Sequence, residues 1–246
     1  MQNTGWLILA LVGCTVALSM LLMSTLDCRP DDGGCGTDTT RISLSGVYLG
    51  QVAVVVLGVL MITNEHESGM IRTTLAAAPH RLAVFAAKAA VLLAVVLGAG
   101  LVGVLGSYVA GRNILPDNGF TAANGFPALS LGDEPTLRAS AGTVLYLGLM
   151  ALLALGVCAI VRDTGTAIAL ILAALYVLPM VGAVIRNEDV REWLDKLSPM
   201  TAGLAIQATR NLSDLAIGPW AALGVFAGYA AVSTIAGAML FHLRDA

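Results

Sequence analysis

Charge is scarce in this chain. Only 12% of its 246 residues are Asp, Glu, Lys or Arg, about half the share of a soluble domain. The thirteen Lys and Arg are scattered without a cluster and the net charge is -3, which removes nucleic acid as an expected partner. There is no Gly-x-x-x-x-Gly-Lys-Ser/Thr loop, so the chain alone cannot cradle the phosphates of ATP. No carboxylate interrupts any long apolar run, and the three histidines, His66, His80 and His242, stand at run ends. An ion-coupled secondary transporter normally places such a group near the bilayer midplane, so that reading is disfavoured. Clustered metal ligands, or a Ser or Cys beside a base, are also missing from the runs, which argues against a membrane-embedded enzyme.

What the chain does have is apolar length. Hydrophobic residues make up 57% of it, and charge-free runs cover 1–26, 42–64, 139–161, 164–185 and 215–241. A sixth run, 82–111, is broken only by Lys88, whose long side chain can snorkel to headgroups. Each is long enough for a helix to cross a ~30 Å hydrocarbon core. None alternates polar and apolar as a barrel strand does, and unpaired backbone in lipid costs several kcal/mol per group, so helices are required. The expected fold is an all-α integral membrane protein, one domain over residues 1–246, with six spans at about 5–26, 44–63, 82–110, 140–161, 165–185 and 219–241. No basic residue precedes the first run and no small-x-small site closes it, so it reads as a retained span rather than a signal peptide.

Six spans put both termini on one side. With cytoplasmic termini, the inner connections hold Arg72, Arg81, Lys88, Arg162 and Arg244, and the longer outer ones hold eight basic residues. A raw count therefore opposes the positive-inside rule, which concerns short loops only and leaves the orientation undecided. Cys28 and Cys35 bracket a Pro/Asp/Gly turn in the first loop, where a small disulfide would mark a non-cytosolic face. Two free thiols on a loop are the other reading. Cys14 and Cys158 fall mid-span and read as packing residues.

The most informative stretch is the elbow between the second and third spans, Asn64-Glu65-His66-Glu67-Ser68-Gly69-Met70-Ile71-Arg72-Thr73-Thr74-Leu75, followed by Ala76-Ala77-Ala78-Pro79-His80-Arg81. Asn64 suits an N-cap, Glu65 and Glu67 suit the positive end of a helix dipole, and Pro79 ends a first short helix. By itself this describes an amphipathic loop helix resting on headgroups.

The stretch resembles the signature of permease subunits of bacterial ABC exporters of the second type. There an acidic residue and an aromatic lead through Gly-Thr-x-Arg-Thr-Thr-Leu to Pro-x-Arg and a downstream Ala-Lys. Glu65, Gly69, Arg72, Thr73, Thr74, Leu75, Pro79, Arg81 and Ala87-Lys88 match, with His66 at the aromatic position and Met70 at a Thr position. The resemblance implies that Glu65, His66, Glu67, Gly69, Met70, Ile71, Arg72, Thr73, Thr74, Pro79 and Arg81 belong to a coupling helix, which engages a separate cytoplasmic ABC ATPase. It further implies a second permease copy, as homodimer or heterodimer, and residence in the bacterial cytoplasmic membrane with both termini inside. Contact with membrane lipid follows from the spans. No cofactor is expected on this chain, ATP and Mg being held by the ATPase.

The C-terminal third is similar to the same family. A charged stretch, 186–197, places Val190, Trp193, Leu194 and Leu197 on one helical face, and Ser198-Pro199 opens a second short element before the last span. The resemblance implies two short exoplasmic helices there. One departure is the N-terminus, which reaches Trp6-Leu7-Ile8 at once, where family members usually begin with a basic amphipathic helix.

Smaller signals concern packing. Ala99, Gly103, Ser107 and Gly111 recur every four residues, and Gly224 with Gly228 forms a Gly-x-x-x-Gly pair. Such stripes permit close helix approach within a subunit or between subunits. Pro179 is expected to kink the fifth span, and 112–138 reads as a long outer loop. The expected function is export of a substrate, lipid-like, peptide or antibiotic, by the transmembrane half of an ATP-driven translocase. The alternatives are an ion-coupled secondary transporter and a non-transporting membrane anchor or immunity protein.

Overall fold

The computed structural model describes residues 2–26, 28, 38–67, 81–126, 128–185, 188–215 and 217–243. Among them are nine α-helices and no strand: α1 (Gln2–Thr25), α2 (Thr39–Ser43), α3 (Val47–Glu67), α4 (Arg81–Asp117), α5 (Glu134–Val161), α6 (Thr164–Val184), α7 (Glu188–Leu197), α8 (Pro199–Leu204) and α9 (Pro219–Leu243). Five helices, α1, α4, α5, α6 and α9, are long and apolar enough to cross a membrane. The apolar part of α3, Val47–Thr63, is shorter, about 25 Å at 1.5 Å per residue. The protein is thus an all-α, multi-pass membrane protein by the length and composition of its helices.

Three element boundaries differ from the sequence expectation. Residues 112–117 and 134–138, expected in a loop, are helical. Asn113 donates from Nδ2 to the Val109 carbonyl at 2.9 Å, one turn back, and Arg138 reaches the Ala208 carbonyl at 2.6 Å. Polar side chains that find such partners do not end a helix where the apolar run ends. Asn64, expected as an N-cap, lies inside α3, which continues without a break through Glu67. Pro179 is accommodated within α6, which continues to Val184.

Helix α5 is the centre of the bundle. It packs against α3, α4, α6 and α9, while α1 lies against α3 and α4. Within its most apolar window 56% of residues are buried, against 22 to 33% for the other four long helices, so α5 is the most enclosed of the five. Close approach makes this possible. A Cβ on Gly156 would lie 2.4 Å from the Ser233 carbonyl group, and one on Gly58 would lie 2.7 Å from the Ala154 methyl group. The stripe on α4 works the same way within the subunit: a Cβ on Gly103 would meet the Thr15 hydroxyl at 2.7 Å, and the Ser107 hydroxyl points to the Thr15 carbonyl at 3.5 Å. Gly224 and Gly228, by contrast, face open space.

The chain alternates direction, which separates two ends. At one, the Cys28 amide donates to the Asn118 carbonyl and the Asn118 amide group to the Met23 carbonyl, gathering the connections after α1 and α4. At the other, the C-terminal part of α3 meets the start of α4 and the end of α9. Lys88 is buried there and donates to the Met61 carbonyl at 3.3 Å, which corrects the expectation that it snorkels to headgroups. Phe85 and Phe241 pair beside it with centroids 5.9 Å apart. The α5–α6 turn lies at this second end. Arg162 takes the left-handed conformation at φ 63° and closes α5 through its amide on the Cys158 carbonyl. Asp163 then caps α6 by accepting from the Thr166 amide at 2.6 Å, and the Thr166 hydrogen bonds hold its carboxyl below the usual carboxylate range.

The α5–α9 crossing yields a test. Gly156→Ala should destabilise the purified protein by about 1 to 3 kcal/mol, the usual cost of overpacking, whereas Gly224→Ala should be near neutral. Thermal unfolding in detergent measures both, and equal midpoints would contradict the assigned crossing.

Candidate functional site

The elbow is only partly within the described residues. Glu65, His66 and Glu67 form the last backbone turn of α3, and Arg81 opens α4. Gly69, Met70, Ile71, Arg72, Thr73, Thr74 and Pro79 lie outside the described residues. What the structure shows is the mounting. The helix that carries Glu65 to Glu67 is continuous with the apolar segment of α3, and its last apolar turns are held by α4 and α5. Besides Lys88, the Cys158 thiol lies 3.5 Å from the Val59 carbonyl.

Deeper in α3 sits a polar node. Gln51 is fully buried. Tyr146 of α5 donates its hydroxyl to Gln51 Oε1 at 2.5 Å, and Gln51 Nε2 donates to the Tyr176 hydroxyl of α6 at 2.9 Å. The Tyr176 hydroxyl in turn donates to the Tyr48 carbonyl, and the second amide proton of Gln51 faces Met200 Sδ of α8 at 3.6 Å. Both ends of the Gln51 amide are therefore satisfied, as a polar group without water must be. The node fastens α3 to α5, α6 and α8 at one point. Sequence reading passed over these residues, although Gln51 is the one amide in the 47–63 run, and a polar side chain inside an apolar helix must find partners there.

A second fastening closes the opposite end. Asp38 accepts at Oδ1 from the amides of Thr40 and Arg41, capping α2. The same carboxylate takes the Thr209 amide at 2.5 Å, the Thr209 hydroxyl at 2.7 Å and the Arg210 amide at 3.0 Å. Arg210 then donates to the Gly125 carbonyl at 2.7 Å and stacks over Phe126 at 4.5 Å. Three connections far apart in sequence become one cap. Cys28, at its edge, is disulfide-bonded, whereas Cys14 and Cys158 are free; Cys35 lies outside the described residues.

Helix α7 turns its expected apolar face outward: Val190, Trp193 and Leu197 are all exposed, as suits a helix lying at a membrane surface. Between α5, α6 and α9 runs a groove of about 790 Å³, lined by Leu153, Val157, Leu170, Leu175 and Val232 among others. The hydroxyls of Tyr229 and Ser233 in its wall already donate to the Leu197 and Ala230 carbonyls, so the groove offers a guest apolar contact only. No cluster of three or more His, Cys, Asp or Glu that could hold a metal occurs among the described residues.

No family model matches the chain, and no curated protein and no solved structure does so.

The node can be measured directly. Tyr146→Phe strands Gln51 Oε1 and should destabilise the protein by about 1 to 2 kcal/mol, within the range for polar contacts in membranes. Gln51→Leu added to it should recover part of that loss. A double-mutant cycle in detergent unfolding reads the coupling, and strict additivity would contradict the bond.

Proposed function

We propose that this chain is the membrane-spanning permease subunit of an ATP-driven exporter, resembling ABC exporters of the second type. The observation that carries this reading is the elbow pattern, from Glu65 through Gly69, Arg72, Thr73, Thr74 and Leu75 to Pro79 and Arg81. The α3 helix, continuous into Glu67, gives that elbow a stiff lever. Force applied at the elbow would reach Gln51 in the same helix and, through Tyr146 and Tyr176, the helices around it. A hinge at Asn64 would have absorbed the motion.

The rest of the reading follows the alternation of the chain. The first turn of α3 lies near α1, where the Gly46 amide donates to the Ser19 hydroxyl at 2.9 Å, and its last apolar turn lies against Lys88 at the opposite end. We therefore count α3 as a sixth span, which puts both termini and the elbow on one side. The Cys28 disulfide favours the cap as the non-cytosolic face. The order of α7 and α8 before the last long helix supports the reading, since the resemblance implies two short outer helices there. Alternating access then means that two permease copies rearrange around a central path as their ATPases close. The apolar groove favours a lipid-like or amphipathic cargo over a charged one.

The test is to purify the tagged full chain in mild detergent from its native host and identify what accompanies it. An ABC ATPase is expected in stoichiometric amount. Gly69→Leu and Arg72→Glu should leave membrane insertion intact, while ATP hydrolysis no longer drives transport. Normal coupling in both variants would reject the elbow as the point of contact. Transport that follows the proton gradient without an ATPase would favour the ion-coupled alternative.

A further inference from the structure

Helices α6 and α9 both pack on α5, and α8 packs against both near the cap, but among the described residues α6 and α9 form no packed pair with each other. The gap between them is the groove of about 790 Å³, in which Leu153 and Val157 of α5 lie between Leu170 and Ala174 of α6 and Gly228 and Val232 of α9. Its rims reach the outside of the bundle, since Leu170 is 53% and Val232 70% exposed. We propose that this groove holds the acyl tails of a phospholipid from the surrounding bilayer, kept as a resident lipid instead of exchanging freely. The inference rests on the helices being membrane-spanning and not on the export reading.

Chemistry and size select that occupant. Among the lining residues only Tyr229 and Ser233 carry hydroxyls, and both are donated to carbonyls, so water, which needs two to four polar partners, has nothing to hold it. Along α9 the groove runs from Val225 to Ala236, about 16 Å at 1.5 Å per residue. Spread over that length, the 790 Å³ leaves a cross-section of about 50 Å², equal to a round opening about 8 Å wide. A helix with its side chains is about 10 to 12 Å in diameter, so a span of a second copy does not enter. Carbon atoms in contact stand about 4 Å apart, which lets two extended hydrocarbon tails lie side by side. Left empty, the groove would forfeit dispersion contacts along three helices, and tails from the adjoining bilayer restore them. Gly228 adds an independent sign. A Cβ there would meet nothing within 4 Å, so no helix of this chain uses the close approach that a glycine in a membrane helix permits, and the space in front of it belongs to the groove.

The full chain is reconstituted in nanodiscs of phosphatidylcholine that carries a diazirine in its acyl tail. It is irradiated either in the disc or after transfer to mild detergent, which strips freely exchanging lipid, and the adducts are mapped by peptide mass spectrometry. Adducts on Leu153 and Val157 are expected in both settings, whereas the outward-facing Leu101 and Val109 of α4 should lose theirs on transfer. Gly228→Leu, which fills the groove, should lower the retained adduct severalfold. Gly224→Leu, which also faces open space but does not line the groove, should leave it unchanged. Ala174→Leu repeats the filling from the opposite wall, and an unchanged unfolding midpoint shows that a variant keeps the fold. Absence of adducts on Leu153 and Val157 in both settings would assign the groove to a protein segment and overturn the proposal. Loss of those adducts on transfer together with those on α4, or equal retention with the groove filled and unfilled, would overturn it as well.

Discussion

Close helix approach along α5 is the constraint on which the rest of the structure depends. Inside a bilayer the lipid is as apolar as the side chains, so burial of leucine against leucine gives little net drive to associate; packing contacts and hydrogen bonds must supply it. Small residues on α5 and its neighbours provide both. With Gly58 set against Ala154 and Gly156 against the Ser233 backbone, α3 and α9 come close enough for long-range side-chain bonds to form. The node of Gln51, Tyr146 and Tyr176 depends on this spacing, because a hydroxyl and an amide on separate helices bond only when the backbones hold them within a fraction of an ångström.

The two ends of the bundle are built by different means, which matters for what each can do. At the cap, one carboxylate, Asp38, collects two amides from the adjacent start of α2 and two amides and a hydroxyl from the distant Thr209–Arg210 segment. That end is knitted by polar bonds among loops, and Cys28 at its edge is disulfide-bonded. At the other end, contacts among the described residues of α3, α4, α5 and α9 include the Lys88 bond, the Phe85–Phe241 pair and the Cys158 thiol. The Gln51 node lies between the two ends.

The apolar helices were plain in the sequence, because runs of 20 or more uncharged residues have one physical solution in lipid. The helix ends were less legible. Arg112, Asn113 and Arg138 read as loop residues, yet each lies in a helix that extends past the apolar run, and only tertiary partners such as the Ala208 carbonyl explain how Arg138 is accommodated there. Lys88 was misplaced for the same reason: its carbonyl partner Met61 lies in another helix, 27 residues away. The node and the Asp38 clasp join residues 95 to 172 positions apart, and no local pattern encodes such pairs. The elbow is the reverse case, since a sequence pattern identifies it and the described residues include only its two flanks.

The orientation of that elbow is the most direct point of attack. A single cysteine at Ser68, introduced with Cys14 and Cys158 replaced by serine, can be probed with a membrane-impermeant maleimide in right-side-out and inverted vesicles. Labelling in inverted vesicles alone, reduced when the ATPase is bound, is the outcome predicted for a lever beneath α3 and α4. Labelling from the outer face, or none from either side, would contradict it.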